Sequence, residues 1–96
     1  MNNLIHRHQD EINRVCQEAG IRYLALFGSH AREEAKEKSD VDLLVEFKNT
    51  PGLIEFIQTK HQFEKVLKRK VDLVTKKGLS KYIASYITRD LQKIYG

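Results

Sequence analysis

The run V-D-L-L-V-E-F at residues 41–47 constrains the fold most, because its apolar and polar side chains alternate. Its odd-numbered positions are all apolar and would share one face, which predicts a β-strand packed against a core. Asp40 and Asp42 stand at the start of this run, where a buried strand should begin. Side chains two residues apart on a strand point the same way, about 7 Å apart at their roots. The two carboxylates therefore either cap a loop or hold something positively charged.

Other apolar patterns predict the remaining elements of a small mixed sheet. Short continuous apolar runs predict strands at 23–27 and 70–75, and a short helix is expected over 29–36. Helical spacing predicts a first helix over about 3–18, a long helix after Pro51 and a final helix. The apolar positions of the last two are Leu53, Phe56, Ile57, Phe63, Val66 and Leu67, and Leu79, Tyr82, Ile83, Tyr86, Ile87, Leu91 and Ile94. The order α-β-α-β-α-β-α predicts an α/β (α+β) fold with helices packed on one face of the sheet and the other face partly open.

Length and composition indicate one domain over residues 1–96. The chain has 41% hydrophobic and 31% charged residues, and no run approaches the roughly 20 apolar residues that a membrane helix needs. Its single cysteine, Cys16, excludes an internal disulfide and fits a reducing cytoplasm. Residues 58–96 hold 10 Lys/Arg against 3 Asp/Glu. This excess suits nucleic acid, a nucleotide triphosphate or an acidic protein, and equally the solvated faces of two helices.

A third aspartate completes a candidate metal site. Asp72 lies inside the predicted strand 70–75, where a carboxylate is costly unless it is paired, coordinated or facing solvent. If that strand lies beside 41–47, Asp72 joins Asp40 and Asp42 on the open face. Mg²⁺ prefers oxygen ligands and takes one or two carboxylates, with water and substrate phosphates completing its shell. Two such ions about 3.5–4 Å apart can share a carboxylate in nucleotidyl transfer.

The Gly28-Ser29 step is a candidate phosphate site. A strand followed by glycine and a helix N-terminus offers unpaired backbone N–H groups and a favourable dipole to a phosphate. Gly28 allows close approach of the backbone, the Ser29 hydroxyl can add a hydrogen bond, and Arg32 follows one turn later on the same side. An ordinary helix cap is the alternative. Neither GxxxxGK[ST] nor GxGxxG occurs in the chain, which excludes the common nucleotide-binding folds that those motifs mark.

Taken together, these motifs resemble those of a known family. L-F-G-S-x-A-R, then S-D-x-D-L-L-V, then V-D-L-V is similar to the minimal nucleotidyltransferases (MNT) of the polymerase-β-type superfamily, small proteins encoded beside a helical HEPN partner. The resemblance covers most of the chain. It implies the nucleotidyltransferase (polymerase-β-like) fold, with Mg²⁺ held at Asp40, Asp42 and Asp72. It also implies phosphate contacts from Gly28 and Ser29.

The resemblance further implies Mg²⁺-dependent transfer of AMP from ATP to a hydroxyl group. The expected acceptor is a tyrosine of a HEPN toxin, which the chain would bind in a hetero-oligomer and inactivate as its antitoxin. One departure matters, because the family usually carries glycine after the arginine, where this chain has Glu33. That added negative charge near a triphosphate favours the alternative of an antitoxin that neutralises its partner by binding alone. A nucleic-acid binder that uses the basic half is the third and least favoured interpretation.

Overall fold

The computed structural model of this chain describes residues 3–28, 40–75 and 91–96. Its elements are α1 (Asn3–Arg7), α2 (Gln9–Ala19), β1 (Ile21–Phe27), β2 (Val41–Phe47), α3 (Leu53–Leu67), β3 (Val71–Thr75) and β4 (Gln92–Tyr95). The four strands form one sheet in the order β3-β2-β1-β4. β2 runs parallel to β3, whereas β1 is antiparallel to both of its neighbours. The predicted α/β fold with a small mixed sheet is therefore confirmed.

One face of the sheet carries the helices, as the alternation in β2 predicts. The core on that face includes Ile12 and Cys16 of α2, Phe63 and Leu67 of α3, and Val41, Leu43 and Val45 of β2. Burying each large apolar side chain there contributes about 1.5–3 kcal/mol relative to exposure. On the other face Ala25 and Leu44 are register partners and are also buried, whereas Asp72 is exposed. The second face is thus closed in its middle and open toward one end.

The first predicted helix, over 3–18, is two helices that meet at His8. The backbone at His8 has φ −111° and ψ 16°, outside the helical range, and its N–H donates to the carbonyl of Ile5 at 3.1 Å. α2 ends at Gly20, whose φ of 69° is left-handed and whose N–H donates to the carbonyls of Cys16 and Gln17. Glycine adopts this conformation without a Cβ penalty, so the chain can turn directly from α2 into β1.

The final predicted helix is wrong at its C-terminal end. Helical spacing places Leu91 and Ile94 in that helix, but Gln92–Tyr95 is a strand, β4, that pairs with β1. Two apolar residues three apart satisfy helical spacing but do not exclude a strand. Pairing with β1 satisfies backbone groups along an edge that would otherwise be open, which local periodicity does not register. The rest of that predicted helix, residues 79–90, lies outside the described residues, as does the predicted helix over 29–36.

The apolar face predicted for α3 is also wrong in part. Helical spacing places Leu53 and Ile57 on the apolar face, yet they are 76% and 42% exposed. The buried stripe of the helix runs through Thr59, Phe63 and Leu67. At 100° per residue, Ile57 lies about 160° around the helix from Thr59, on its outer side, whereas Leu53 is the first residue of the helix. None of the helices in the described ranges has the length and apolar character that crossing a membrane demands.

Candidate active site

The ends of three strands lie side by side at one end of the sheet. β1 ends there at Phe27, which lies in register with Asp42 of β2. β2 and β3 both begin there because they are parallel, and their second residues, Asp42 and Asp72, are register partners. Gly28 follows β1 at the same end of the sheet. The sheet topology therefore collects residues from three separate parts of the chain at one place.

Asp42 and Asp72 are cross-strand neighbours on the same face. Their backbones are about 4.8 Å apart, the spacing of adjacent strands. Val71 and Leu73 are buried in the helix-side core, so alternation directs Asp72 to the opposite face. Asp42 is half-buried there and Asp72 is exposed. Because like charges directly opposite each other destabilise a sheet, this arrangement favours a cation or strong hydration beside the two carboxylates.

Gly28 packs its backbone against the carboxylate of Asp42. Its φ of 76° is left-handed, a conformation that glycine adopts readily. A Cβ placed on Gly28 would collide with Oδ2 of Asp42 and lie 3.1 Å from its Cγ. The sequence predicted Gly28 as a point of close phosphate approach. The structure adds a second reason for glycine, since the missing side chain leaves room for Asp42.

Asp40 is the exposed residue that precedes β2. The backbone N–H of Val41 donates to the carbonyl of Lys70 at 2.9 Å, so the ladder between β2 and β3 begins at this point. Alternation along β2 places Asp40 on the same face as Asp42. The three predicted carboxylates thus belong to one end of the sheet, two on the β2 side and one on β3.

Glu64 of α3 holds the start of β3 and was not predicted from the sequence. Its Oε2 accepts the backbone N–H of Val71 at 3.1 Å, and its carbonyl accepts the N–H of Lys68 at 2.7 Å. The side chain of Glu64 therefore acts on the residue directly before Asp72. One signal could have identified it: a carboxylate in the last turn of a helix opposes the helix dipole, so its presence there indicates a specific contact.

The donor set suits a hard divalent cation. In the described ranges no group of three or more His, Cys, Asp or Glu side chains is arranged to hold a metal ion by itself. Mg²⁺ does not require such a cage, since it is bound by one or two carboxylates together with waters and substrate phosphates. Asp42 and Asp72, with Asp40 beside them, offer oxygen ligands of that kind at the open end of the sheet. The residues present therefore fit Mg²⁺ as part of a metal–nucleotide complex.

Two predicted phosphate contacts, Ser29 and Arg32, lie outside the described residues, and so does Glu33. Their roles stay predictions. The only cysteine, Cys16, is buried in the helix-side core, and desolvation raises the pKa of its thiol to about 12. The thiol is therefore protonated at neutral pH, which excludes it as a nucleophile.

A comparison with protein families matches residues 10–94 to the nucleotidyltransferase domain. Among curated relatives, the Protein adenylyltransferase MntA of Thermococcus cleftensis is 39% identical over 88 residues, which cover 92% of this chain and 86% of that protein. The residues matched by the family, 10–94, include every residue of the candidate site described above.

Solved structures share the fold. One described as a candidate minimal nucleotidyltransferase superposes with a TM-score of 0.78 at 31% identity, covering 91% of this chain and 89% of that chain. Another is a tri-AMPylated Shewanella oneidensis HEPN toxin in complex with MNT antitoxin. It matches with a TM-score of 0.73 at 18% identity and covers 96% of this chain and 72% of that chain. At that identity the second match supports the fold alone.

Proposed function

The chain belongs to the nucleotidyltransferase domain family, and from this membership we propose that it transfers AMP from ATP to a hydroxyl group of a partner protein. Its relative in Thermococcus cleftensis is named as a protein adenylyltransferase, which supports ATP as donor and a protein as acceptor. The observation that carries the proposal is the register pairing of Asp42 with Asp72 beside Gly28. That pairing assembles carboxylates and a close backbone approach where a metal–nucleotide complex needs them.

We assign Mg²⁺ to Asp40, Asp42 and Asp72, as one ion or two. Bound there, the metal would offset the charge of the triphosphate and of the oxygens at the reacting phosphorus. Gly28 leaves room for the Asp42 carboxylate, and its backbone is proposed to approach a phosphate oxygen. Ser29 and Arg32 are proposed to complete the phosphate contacts, a hydroxyl hydrogen bond from the first and a guanidinium from the second.

The transfer forms one bond and breaks one. The acceptor oxygen attacks the α-phosphorus of ATP, the bond from that phosphorus to the oxygen of the β-phosphate breaks, and pyrophosphate leaves. A tyrosine hydroxyl has a reference pKa of about 10, so at neutral pH it must lose its proton as it attacks. Asp72 is the proposed base, and its carboxylate takes up that proton. The exposure of Asp72 supports this role, because an acceptor from another protein can reach it.

We propose a HEPN toxin as the partner, bound in a hetero-oligomer, with a tyrosine as the acceptor. The support is the Shewanella oneidensis complex, in which an AMP-bearing HEPN toxin lies with an antitoxin of this fold. In this proposal residues 1–96 act as one nucleotidyltransferase domain and the partner brings the hydroxyl. The free thiol of Cys16 supports a reducing cytoplasm as the place of action.

Labelled ATP tests the proposal directly. The chain, its HEPN partner and ATP labelled at the α-phosphate are incubated with Mg²⁺, and label is expected on the partner together with released pyrophosphate. The double variant Asp40→Asn with Asp42→Asn should lose the transfer and the Mg²⁺-dependent binding of ATP. It should remain folded, because asparagine keeps the volume of aspartate. If the double variant binds Mg-ATP like the parent, the metal site is misassigned.

Glu33 supports a second candidate function, an antitoxin that neutralises its partner by binding without transfer. Its charge would lie close to the triphosphate path that the family motif implies. The same assay separates the two candidates. Loss of toxin activity with no label on the toxin would favour simple binding, whereas label on the toxin favours the enzyme.

A further inference from the structure

A lysine stands among the three aspartates of the site. Lys70 directly precedes β3, and its carbonyl accepts the N–H of Val41 at 2.9 Å. The register of the two strands pairs Val41 with Val71. Lys70 and Asp40, each one residue earlier, are therefore neighbours across the β2–β3 ladder.

Strand alternation decides which face Lys70 belongs to. Val71 and Leu73 are buried in the helix-side core. The residues on either side of Val71, Lys70 and Asp72, therefore belong to the opposite face, with their roots about 7 Å apart. Lys70 is exposed on that face. Its ammonium group thus shares one surface with the carboxylates of the candidate site.

The two preceding cations of the K-R-K turn are arranged differently. Lys68 is the residue that caps α3, with a left-handed φ of 56°, and it lies outside the strand ladder. Arg69 donates from Nη1 to the carbonyl of Leu67 at 3.2 Å, back toward the end of α3. Of this turn, only Lys70 continues the β3 strand onto the face of the aspartates.

The charge of Lys70 has a consequence for any metal bound beside it. A divalent cation on Asp42 and Asp72 repels an ammonium group whose root lies about 7 Å from that of Asp72, so Lys70 opposes metal binding unless an anion lies between the two. A nucleoside triphosphate brings several negative charges, and lysine is a common phosphate ligand. We propose that Lys70 binds the polyphosphate of the nucleotide beyond its α-phosphate, and so also the pyrophosphate that leaves. The inference rests on the proposed function for the identity of the ligand.

Calorimetry in Mg²⁺ with the full chain tests this with ATP, tripolyphosphate and AMP. Lys70→Gln should weaken binding of ATP and of tripolyphosphate about tenfold, through loss of one charge-assisted contact. AMP lacks the outer phosphates, so its affinity should change by less than about twofold. Lys70→Arg keeps the positive charge and should recover most of the ATP affinity. A transfer assay is not needed for any of these measurements.

Lys48→Gln is the matched control. Lys48 is also exposed and directly follows β2, at the end of the strand away from the site. Lys48 lies six positions along the chain from Asp42, a distance of about 20 Å. That exceeds the Debye length of about 8 Å at physiological salt, so the control should bind all three ligands like the parent.

Several outcomes would overturn the inference. Equal weakening of ATP and AMP, or parent-like ATP binding by Lys70→Gln, removes the contact with the outer phosphates. Tighter binding of Mg²⁺ alone with an unchanged ratio of ATP to AMP affinity would make Lys70 a counter-ion of the aspartates only. If the parent itself binds no ATP, the proposed function fails and this inference with it. If the parent binds ATP and Lys70→Gln binds it equally well, this inference fails while the proposed function stands.

Discussion

Two acidic residues on the same face of β2 have opposite surroundings. Glu46, near the end of the strand, forms an ion pair with Arg22 of β1, with 3.5 Å between Nη1 and Oε1. Asp42, near the start of the strand, is the register partner of another carboxylate, Asp72. At one end of β2 the fold brings opposite charges together, and at the other it brings like charges together.

The two pairings have opposite effects on stability when each is taken by itself. An exposed ion pair such as Arg22–Glu46 contributes about 0.2–1 kcal/mol. Directly opposed like charges cost a similar amount. Taken by itself, the Asp42–Asp72 pairing therefore opposes folding slightly, whereas the Arg22–Glu46 pairing favours it. Substitutions at the two ends can test that contrast.

Asp72→Asn is expected to have the largest effect on AMP transfer. It removes the carboxylate that accepts the proton, so transfer of AMP should fall by a factor on the order of 10²–10⁴. ATP binding should largely remain, because Asp40 and Asp42 still hold the metal. In metal-free buffer the free energy of unfolding should rise by up to about 1 kcal/mol, since repulsion with Asp42 is removed. Label transfer, calorimetry with ATP and thermal unfolding measure the three effects.

Glu46→Gln is the control for Asp72→Asn on the same face of the sheet. It removes the ion pair with Arg22, so the free energy of unfolding should fall by up to about 1 kcal/mol while transfer stays unchanged. The two substitutions thus change stability in opposite directions. Stability changes of the same sign would contradict the contrast between the two ends. Equal loss of ATP binding and transfer in Asp72→Asn would make that residue only a metal ligand.

Gly28→Ala should have the second-largest effect on AMP transfer, because an added Cβ occupies the space of the Asp42 carboxylate. The new Cβ collides with the Asp42 carboxylate, which must move, and a displacement of about 1 Å at a reacting centre can cost about 10²-fold in rate. The left-handed φ adds a stability cost of about 1–2 kcal/mol. Gly20→Ala is the control, since Gly20 has φ +69° and nothing lies within 4 Å of an added Cβ.

The two glycine variants share backbone strain and differ in the collision. Transfer should fall only in Gly28→Ala, while unfolding experiments should show a stability loss in both. Similar transfer rates in the two variants would mean that Asp42 tolerates the added methyl group. In that case the close approach of Gly28 would not matter for the site.

Of Asp72→Asn, Gly28→Ala and Glu64→Ala, the last should reduce AMP transfer least. It removes the acceptor of the Val71 N–H, so the free energy of unfolding should fall by about 1–2 kcal/mol. Transfer should fall severalfold, because the strand that carries Asp72 begins at that hydrogen bond. Glu64→Gln keeps an acceptor oxygen and should recover most of both quantities in urea unfolding and label transfer. If glutamine behaves like alanine, the charge of Glu64 matters and the hydrogen bond does not.

Strand patterns were the most predictable part of the fold. Alternation predicted β2 at 41–47, the bounds that the structure has, and the strand predicted at 70–75 begins one residue later at Val71. The strand predicted at 23–27 extends back to Ile21. These patterns succeed because each strand has one face in the core, and the period of two marks that face directly. Helical spacing was less reliable, as the exposure of Leu53 and Ile57 shows.

For the site, the sequence indicated residue types and left their surroundings open. The two aspartates of D-V-D and the mid-strand Asp72 were apparent from spacing and apolar context. The contacts of Glu64 with Val71, and of Gly28 with Asp42, were not apparent, because each joins residues from different elements. Ser29 and Arg32 are still predictions.

Side-chain periodicity within a few residues predicts which runs become strands and which face of each strand carries the acids. Which strands become neighbours follows from the packing of the whole fold. Asp72 meets Asp42 because α3 returns the chain to the same end of the sheet and lets β3 run parallel to β2. Gly28 meets Asp42 because β1 is antiparallel to β2. Register of this kind depends on packing across the whole sheet and helix layer, which no local window of sequence contains.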